Sequence, residues 1–146
     1  MPNHPATLAA PQPKPTVLTQ PFWQGCNEGR LLLQQCEHCQ RLRFYPAESC
    51  PFCGVIGGAW TAVTGRGVVY SWITTHKTPD SYWRTRVPYV SAIVELDDQP
   101  HLYMPGLLTS VTPDAVRAGM KVEVWFEPSG PGQALPRWRP AGAGAA

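Results

Sequence analysis

Along this chain the apolar residues come in short runs, each closed by turn-forming residues. "TGRGVVYSWITTH" (64–76), "PYVSAIVEL" (88–96), "HLYMPGLL" (101–108) and "KVEVWFE" (121–127) alternate or cluster as strands do, and Gly, Pro and Asp separate them. A fifth short run, "LPRWRP" (135–140), follows. Between the third and fourth runs lies "TPDAVRAGM", with Thr112 as a cap, Pro113 at the first helical position and Gly119 as a stop. That pattern predicts one small helix. Five strands with a helix before the fourth predict a Greek-key barrel of the OB type over residues 60–140.

The first part of the chain reads differently. Residues 1–18 hold five prolines and few large apolar side chains, too little to bury, and predict a disordered tail. "TQPFWQGCNEGRLLL" then predicts a short helix that runs into a strand. Thr19 is placed to cap it, Pro21 suits its first turn and Gly29 can end it. "RLLLQQC" is that strand, and it enters a cysteine cluster. The expected organisation is a tail (1–18), a helix with a cysteine-rich lobe (19–59), a barrel (60–140) and a flexible end (141–146). The fold class is mainly β.

Composition narrows the function. The 146 residues include 17 Pro and 13 Gly, about a fifth of the chain, which disfavours long helices. A net charge of +2 with no Lys/Arg run gives no electrostatic footprint for nucleic acid. No apolar run reaches the roughly 20 residues of a membrane span, and the first residues lack the charged-then-apolar order of a signal peptide. The expected location is the cytoplasm, where paired cysteines favour metal over disulfides.

"CEHCQRLRFYPAESCPFC" carries the clearest chemistry. Cys36, Cys39, Cys50 and Cys53 form two C-x-x-C turns with ten residues between them. Each such turn aims two sulfurs at one ion, and Gly54 permits the tight conformation that follows the second. Four thiolates in two knuckles predict one tetrahedral Zn2+ in a ribbon, with iron in a rubredoxin-like site as the alternative. A redox C-x-x-C needs a helix N-terminus in a βαβ unit, and none is visible. A closed four-thiolate site has no open coordination position, so its role is structural. His38 reads as a solvated turn residue, and Cys26 as a small buried apolar group.

No catalytic constellation stands out: there is no nucleophile elbow, no phosphate-cradling glycine loop and no metalloprotease motif. The loop from His76 to Arg86 carries His76, Lys77, Tyr82, Trp83, Arg84 and Arg86. It joins the first two barrel strands, where OB folds bind ligands. His76, Lys77, Arg84 and Arg86 are therefore candidate ligand-binding residues for a phosphate and a nucleobase, or for single-stranded nucleic acid. The competing reading is a polar loop whose aromatics fold back on the barrel. Phe22 and Trp23, adjacent aromatics on a short helix, are candidate partner-binding residues.

In their order, "PFWQGCNEGRLLLQQCEHCQRLRFYPAESCPFCG", "GRGVVYSW", "PYVSAIVEL", "AGMKVEVWF" and "LPRWRP" resemble one family over residues 20–140. It is the zinc-ribbon, OB-fold, acyl-CoA-associated family known as domain of unknown function thirty-five. The matching positions are Phe22-Trp23, Gly29-Arg30-Leu31, the four cysteines, Pro46, Gly65-Arg66-Gly67 and Arg139-Pro140. Gln40 stands where Gly is common after the first knuckle, and Gln24-Gly25-Cys26 where better helix formers are usual. The resemblance implies a non-catalytic accessory subunit of a thiolase-superfamily acyl-CoA enzyme. The large subunit would perform condensation, acyl transfer or retro-aldol cleavage such as steroid side-chain degradation. The small subunit would help shape the acyl-CoA channel, with no turnover of its own. A subunit of a MaoC-type enoyl-CoA hydratase is the alternative, and an OB-fold single-strand nucleic-acid binder the second.

Overall fold

A computed structural model describes residues 10–142. The outer part of the N-terminal tail and the last four residues of "AGAGAA" lie outside them. Helix α1 spans Gln20–Asn27. Strands β1 (Leu32–Gln35), β2 (Leu42–Arg43) and β3 (Ala59–Ala62) follow, and then five longer strands: β4 (Arg66–Thr75), β5 (Tyr89–Leu96), β6 (Tyr103–Leu108), β7 (Lys121–Pro128) and β8 (Ala134–Pro140). The first three form an antiparallel ribbon in the order β2-β1-β3. The other five close into a barrel in the order β4-β5-β6-β8-β7. This is a mainly β protein with a ribbon and an OB-fold barrel, as expected. No helix among the described residues is long and apolar enough to cross a membrane.

Helix α1 begins with Pro21 in its first turn and ends before Gly29, whose φ is +72°. Thr19 does not cap it. The Thr19 hydroxyl instead accepts the Thr16 N–H at 2.9 Å, and the Gln20 N–H reaches the Thr16 carbonyl at 2.8 Å, so a turn precedes the helix. The helix expected in "TPDAVRAGM" is a single 3-10 turn, Pro113–Ala115, and Thr112 makes no side-chain cap bond. Burial explains the difference. Val116 is 1% exposed, and reaching the core forces its backbone to extended angles directly after the turn. Sequence reading also passed over a short helix, α2 (Ser81–Arg84), whose N–H of Trp83 is accepted by the Asp80 carboxylate at 3.0 Å.

Ribbon, helix and barrel share one core. Phe22 and Cys26 from α1, Leu31 and Leu33 beside and in β1, and Val69, Val90, Val94, Val122 and Trp138 from the barrel belong to a single buried cluster. β3 completes the ribbon, its Trp60 and Thr61 pairing with Gln34 and Leu33, and Trp60 packs against the shared core. Two side chains in the β5–β6 turn lock the lobes further. The Gln99 amide bonds both backbone groups of Leu42, at 2.8 and 3.0 Å, as a neighbouring strand would. The Asp98 carboxylate accepts the Thr64 N–H at 3.1 Å and its hydroxyl at 2.9 Å. Asp98 thus ties the β3–β4 connection to the barrel.

Barrel closure depends on close strand approach at Gly67, which pairs with both Leu96 of β5 and Val122 of β7. A Cβ there would lie 2.3 Å from the Glu95 carbonyl oxygen. Arg139 sits opposite Glu123 and pairs with it at 3.1 Å, a partly exposed cross-strand contact worth a few tenths of a kcal/mol. Gly67→Ala is therefore expected to lower stability by about 1–3 kcal/mol, with the strands forced apart. Thermal unfolding reads this, and an unchanged midpoint would contradict the close approach.

Candidate metal centre and ligand surface

The two knuckles repeat one backbone design. The Gln40 N–H bonds the Cys36 carbonyl at 2.9 Å, and the Gly54 N–H bonds the Cys50 carbonyl at 2.9 Å. The Cys36 N–H reaches the Arg41 carbonyl at 2.9 Å and the Cys50 N–H the Val55 carbonyl at 2.8 Å. Each turn closes on a left-handed residue, Gln40 at φ +64° and Gly54 at +78°. This is why glycine suits the position. Gln40 offsets the roughly 1–2 kcal/mol cost of that conformation with a side-chain bond to the Glu37 carbonyl at 2.8 Å.

The four sulfurs converge. Cys36 and Cys53 lie 3.6 Å apart, as do Cys39 and Cys50, and all four Sγ atoms fall within 4.8 Å of one another. A disulfide needs about 2.05 Å; the cysteines are free. A tetrahedral ion with bonds of about 2.3 Å sets sulfurs about 3.8 Å apart, close to these separations, so the donor set fits a metal ion. The Cys39 N–H points at the Cys36 sulfur (3.5 Å) and the Phe52 N–H at that of Cys50 (3.4 Å), as bonds to thiolates do.

The thiols differ. The Cys39 N–H holds Cys36 below the usual thiol range, against the effect of burial. Burial opposes ionisation of Cys50, but the N–H groups of Cys53 and Phe52 and the neighbouring thiols outweigh it and bring it down to about 6. Cys53 accepts the Val55 N–H, which favours its thiolate. Burial and the other three sulfurs overcome this and push it up to about 11. A metal must therefore expel at least the Cys53 proton at neutral pH.

The remaining candidates divide. Cys26 is 1% exposed, and burial pushes its thiol up to about 12, so it is a core residue and no nucleophile. In the 76–86 loop, Trp83 packs 5.0 Å from Tyr89 and edge-on to Tyr82 at 5.1 Å. The aromatics thus fold back on the barrel. His76, Lys77, Arg84 and Arg86 remain exposed. The Arg84 side chain bonds the Pro79 carbonyl at 2.8 Å. Arg86 bonds that of Tyr82 at 2.6 Å and lies 3.6 Å over the Tyr82 ring. The loop, between β4 and β5, brings the four basic side chains to one end of the barrel.

Phe22, a candidate partner contact, lies mostly inside the core. It is 5% exposed, packed against Phe44 at 5.8 Å and against the core, because the only large apolar face of α1 must cover the ribbon–barrel junction. Trp23, edge-on to Phe22 at 5.0 Å, stays half-buried. With Phe44, Tyr45, Pro46, Met104, Pro105 and Pro136 it lines an apolar groove of about 250 Å³. Sequence reading missed Tyr45, which is 65% exposed, and an outward barrel face. On that face Ile73 and Ile93 are exposed and Tyr70 lies 4.8 Å from Tyr103. Alternation along β4 and β5 was the available signal, but it marks Ile73 and Ile93 as strand residues without saying which side lacks a covering layer.

Fold and site together define a ribbon–barrel protein of the DUF35 class. Two family profiles match: "ChsH2, rubredoxin-like zinc ribbon domain" over residues 23–55 and "ChsH2, C-terminal OB-fold domain" over 60–127. A chain of a solved structure described as an Ltp2-ChsH2(DUF35) aldolase is 31% identical. The alignment covers 89% of this chain and 99% of that one, with a TM-score of 0.79. The chain belongs to the ChsH2 (DUF35) family. A DUF35 protein of unknown function from Sulfolobus solfataricus shares the fold at 12% identity and a TM-score of 0.59. A probable enoyl-CoA hydratase alpha subunit of Thermomonospora curvata is 35% identical over 133 residues, and the chain spans 40% of its length.

Cys39→Ser removes one thiolate from the centre, and the full-length variant is expected to lose stoichiometric metal, read by elemental analysis. Because Cys53 must give up a proton, metal retention is expected to strengthen as pH rises from 6 to 8. A chelator competition at both values checks the direction.

Proposed function

We propose that this chain is a non-catalytic accessory subunit of an acyl-CoA enzyme whose large subunit belongs to the thiolase superfamily, with one structural zinc ion on Cys36, Cys39, Cys50 and Cys53. The observation that carries the reading is the 31% identity along 99% of a chain in a two-component Ltp2-ChsH2(DUF35) aldolase. The site agrees with it. A four-thiolate centre has no open position for substrate, and the buried Cys26 thiol has no ionised form near neutral pH to act as a nucleophile. In this reading the zinc supplies folding energy to a three-stranded ribbon and no chemistry.

The 76–86 loop gives the subunit its part in substrate binding. Arg84 and Arg86 are already oriented by carbonyl bonds at 2.8 and 2.6 Å, with exposed guanidinium groups suited to the phosphates at the nucleotide end of CoA. The loop thereby helps form the acyl-CoA channel. Trp23 and Tyr45, at the mouth of the apolar groove, present the aromatic surface that a large subunit would cover. A hydratase partner of the MaoC type is the second reading, favoured by the name of the Thermomonospora curvata relative.

Affinity purification of the tagged chain from its host, with identification of the co-eluting protein, tests the reading. A thiolase-superfamily protein is expected, whereas a MaoC-type hydratase would favour the second reading. Acyl-CoA turnover by this chain alone, abolished by one substitution in it, would overturn both. In the reconstituted complex Arg84→Ala is expected to raise KM several-fold with kcat nearly unchanged, since a remote phosphate contact is made equally in ground and transition states. Steady-state kinetics at saturating small subunit separates this from weakened assembly.

A further inference from the structure

Arg43 is the only charged side chain among the described residues that the fold buries, at 4% exposure. Its Nε donates to the Gln34 side-chain oxygen at 3.0 Å. Its Nη2 donates to the carbonyls of Ala47 and Gly57, each at 2.8 Å. All three acceptors are neutral. None of the ion pairs among the described residues includes Arg43, and its Nη1 has no hydrogen-bond partner. The chain makes room for this group: a Cβ at Gly58 would stand 3.1 Å from Nη2 and 3.3 Å from Nη1. A buried cation surrounded only by neutral acceptors is costly unless a negative charge lies near enough in the same low-dielectric region.

The ribbon contains one such charge when metallated. Four thiolates around a divalent ion carry a net charge of −2. Arg43 pairs in register with Gln34 on β1, two residues before Cys36, or about 7 Å along the strand. The carbonyls of Ala47 and Gly57 that it grips flank the hairpin carrying Cys50 and Cys53, which is closed by the Ser49–Ile56 bridge. We infer that Arg43 is the internal counter-charge of the metal–tetrathiolate centre, a positioning residue that holds the ion by electrostatics without ligating it. The inference rests on the metal reading above.

A purely mechanical clasp would use the same hydrogen bonds, so the test must change charge and leave shape alone. Gln34→Glu does this. Its carboxylate keeps both bonds that Gln34 accepts, from Arg43 Nε and from the Ala47 N–H at 2.7 Å, while taking up the charge of Arg43. For a clasp this strengthens the contact and leaves metal retention the same or better. For a counter-charge it removes the compensation of the centre.

Full-length wild type and variants are loaded with zinc and titrated against a chromophoric chelator. Gln34→Glu is expected to weaken zinc binding about tenfold or more, in the range of outer-sphere effects. Iron-substituted protein gives a readout that packing alone would not move. The ferric centre carries −1 and the ferrous −2, so removing a nearby cation disfavours reduction. The reduction potential is expected to fall in Gln34→Glu and Arg43→Gln, and to stay at the wild-type value in Arg43→Lys. Gln34→Glu carries the test if Arg43→Gln does not fold. Zinc affinity and potential both unchanged in Gln34→Glu would overturn the inference, as would weakened zinc binding with no change in potential. A wild-type chain that binds no metal would overturn it together with the metal reading.

Discussion

A sheet with strands of four, two and four residues has too little surface to stand alone, and β1, β2 and β3 form such a sheet. What holds it is the meeting of four cysteine sulfurs within 4.8 Å, on two turns whose backbone bonds are nearly superimposable. A metal in that position couples the two hairpins directly, beside the bonds that Arg43 makes to the Ala47 and Gly57 carbonyls. Its binding energy is then folding energy for the whole lobe. The buried Arg43, with its three neutral acceptors, lies in the same lobe and belongs to the same electrostatic problem.

The barrel solves a different problem. Its strands are long enough to bury a core, and Val69, Val94, Val122 and Trp138 fill it at 1% exposure or less. Its weak seam is between β6 and β8, which share a single parallel pairing at Leu108 and Trp138. Helix α1 lies against β8, and its Phe22 and Cys26 extend the core toward the ribbon. The N-terminal helix therefore serves as a plug for the junction. The 3-10 turn between β6 and β7 is too short for that work.

This arrangement separates support from contact. Helix α1 and the Gln99 and Asp98 clasps join ribbon and barrel into one unit. Exposed on that unit are an aromatic rim at Trp23 and Tyr45, an apolar barrel face, and a basic loop pinned by its own carbonyls. Such surfaces suit a subunit whose role is to complete another protein's site, since each is held in place before any partner arrives.

Much of this was legible in the residues themselves. Two C-x-x-C turns specify a four-sulfur site because ligand chemistry is local to each turn. Strand runs from Gly65 to Pro140 specify the barrel because period-two burial is written into the sequence. What the helix buries was not legible. Phe22 and Trp23 are adjacent and chemically alike and line the same groove, yet Phe22 is 5% exposed within the core while Trp23 stays half-buried, and only the docking of α1 on the barrel decides which. The same holds for "TPDAVRAGM", where local capping signals favour a helix and the pull of Val116 into the core cuts it to one turn. It holds too for Gln34, Arg43 and Gln99, whose polar side chains carry no motif. Their partners lie 4 to 57 residues away in the chain, and the fold brings them together.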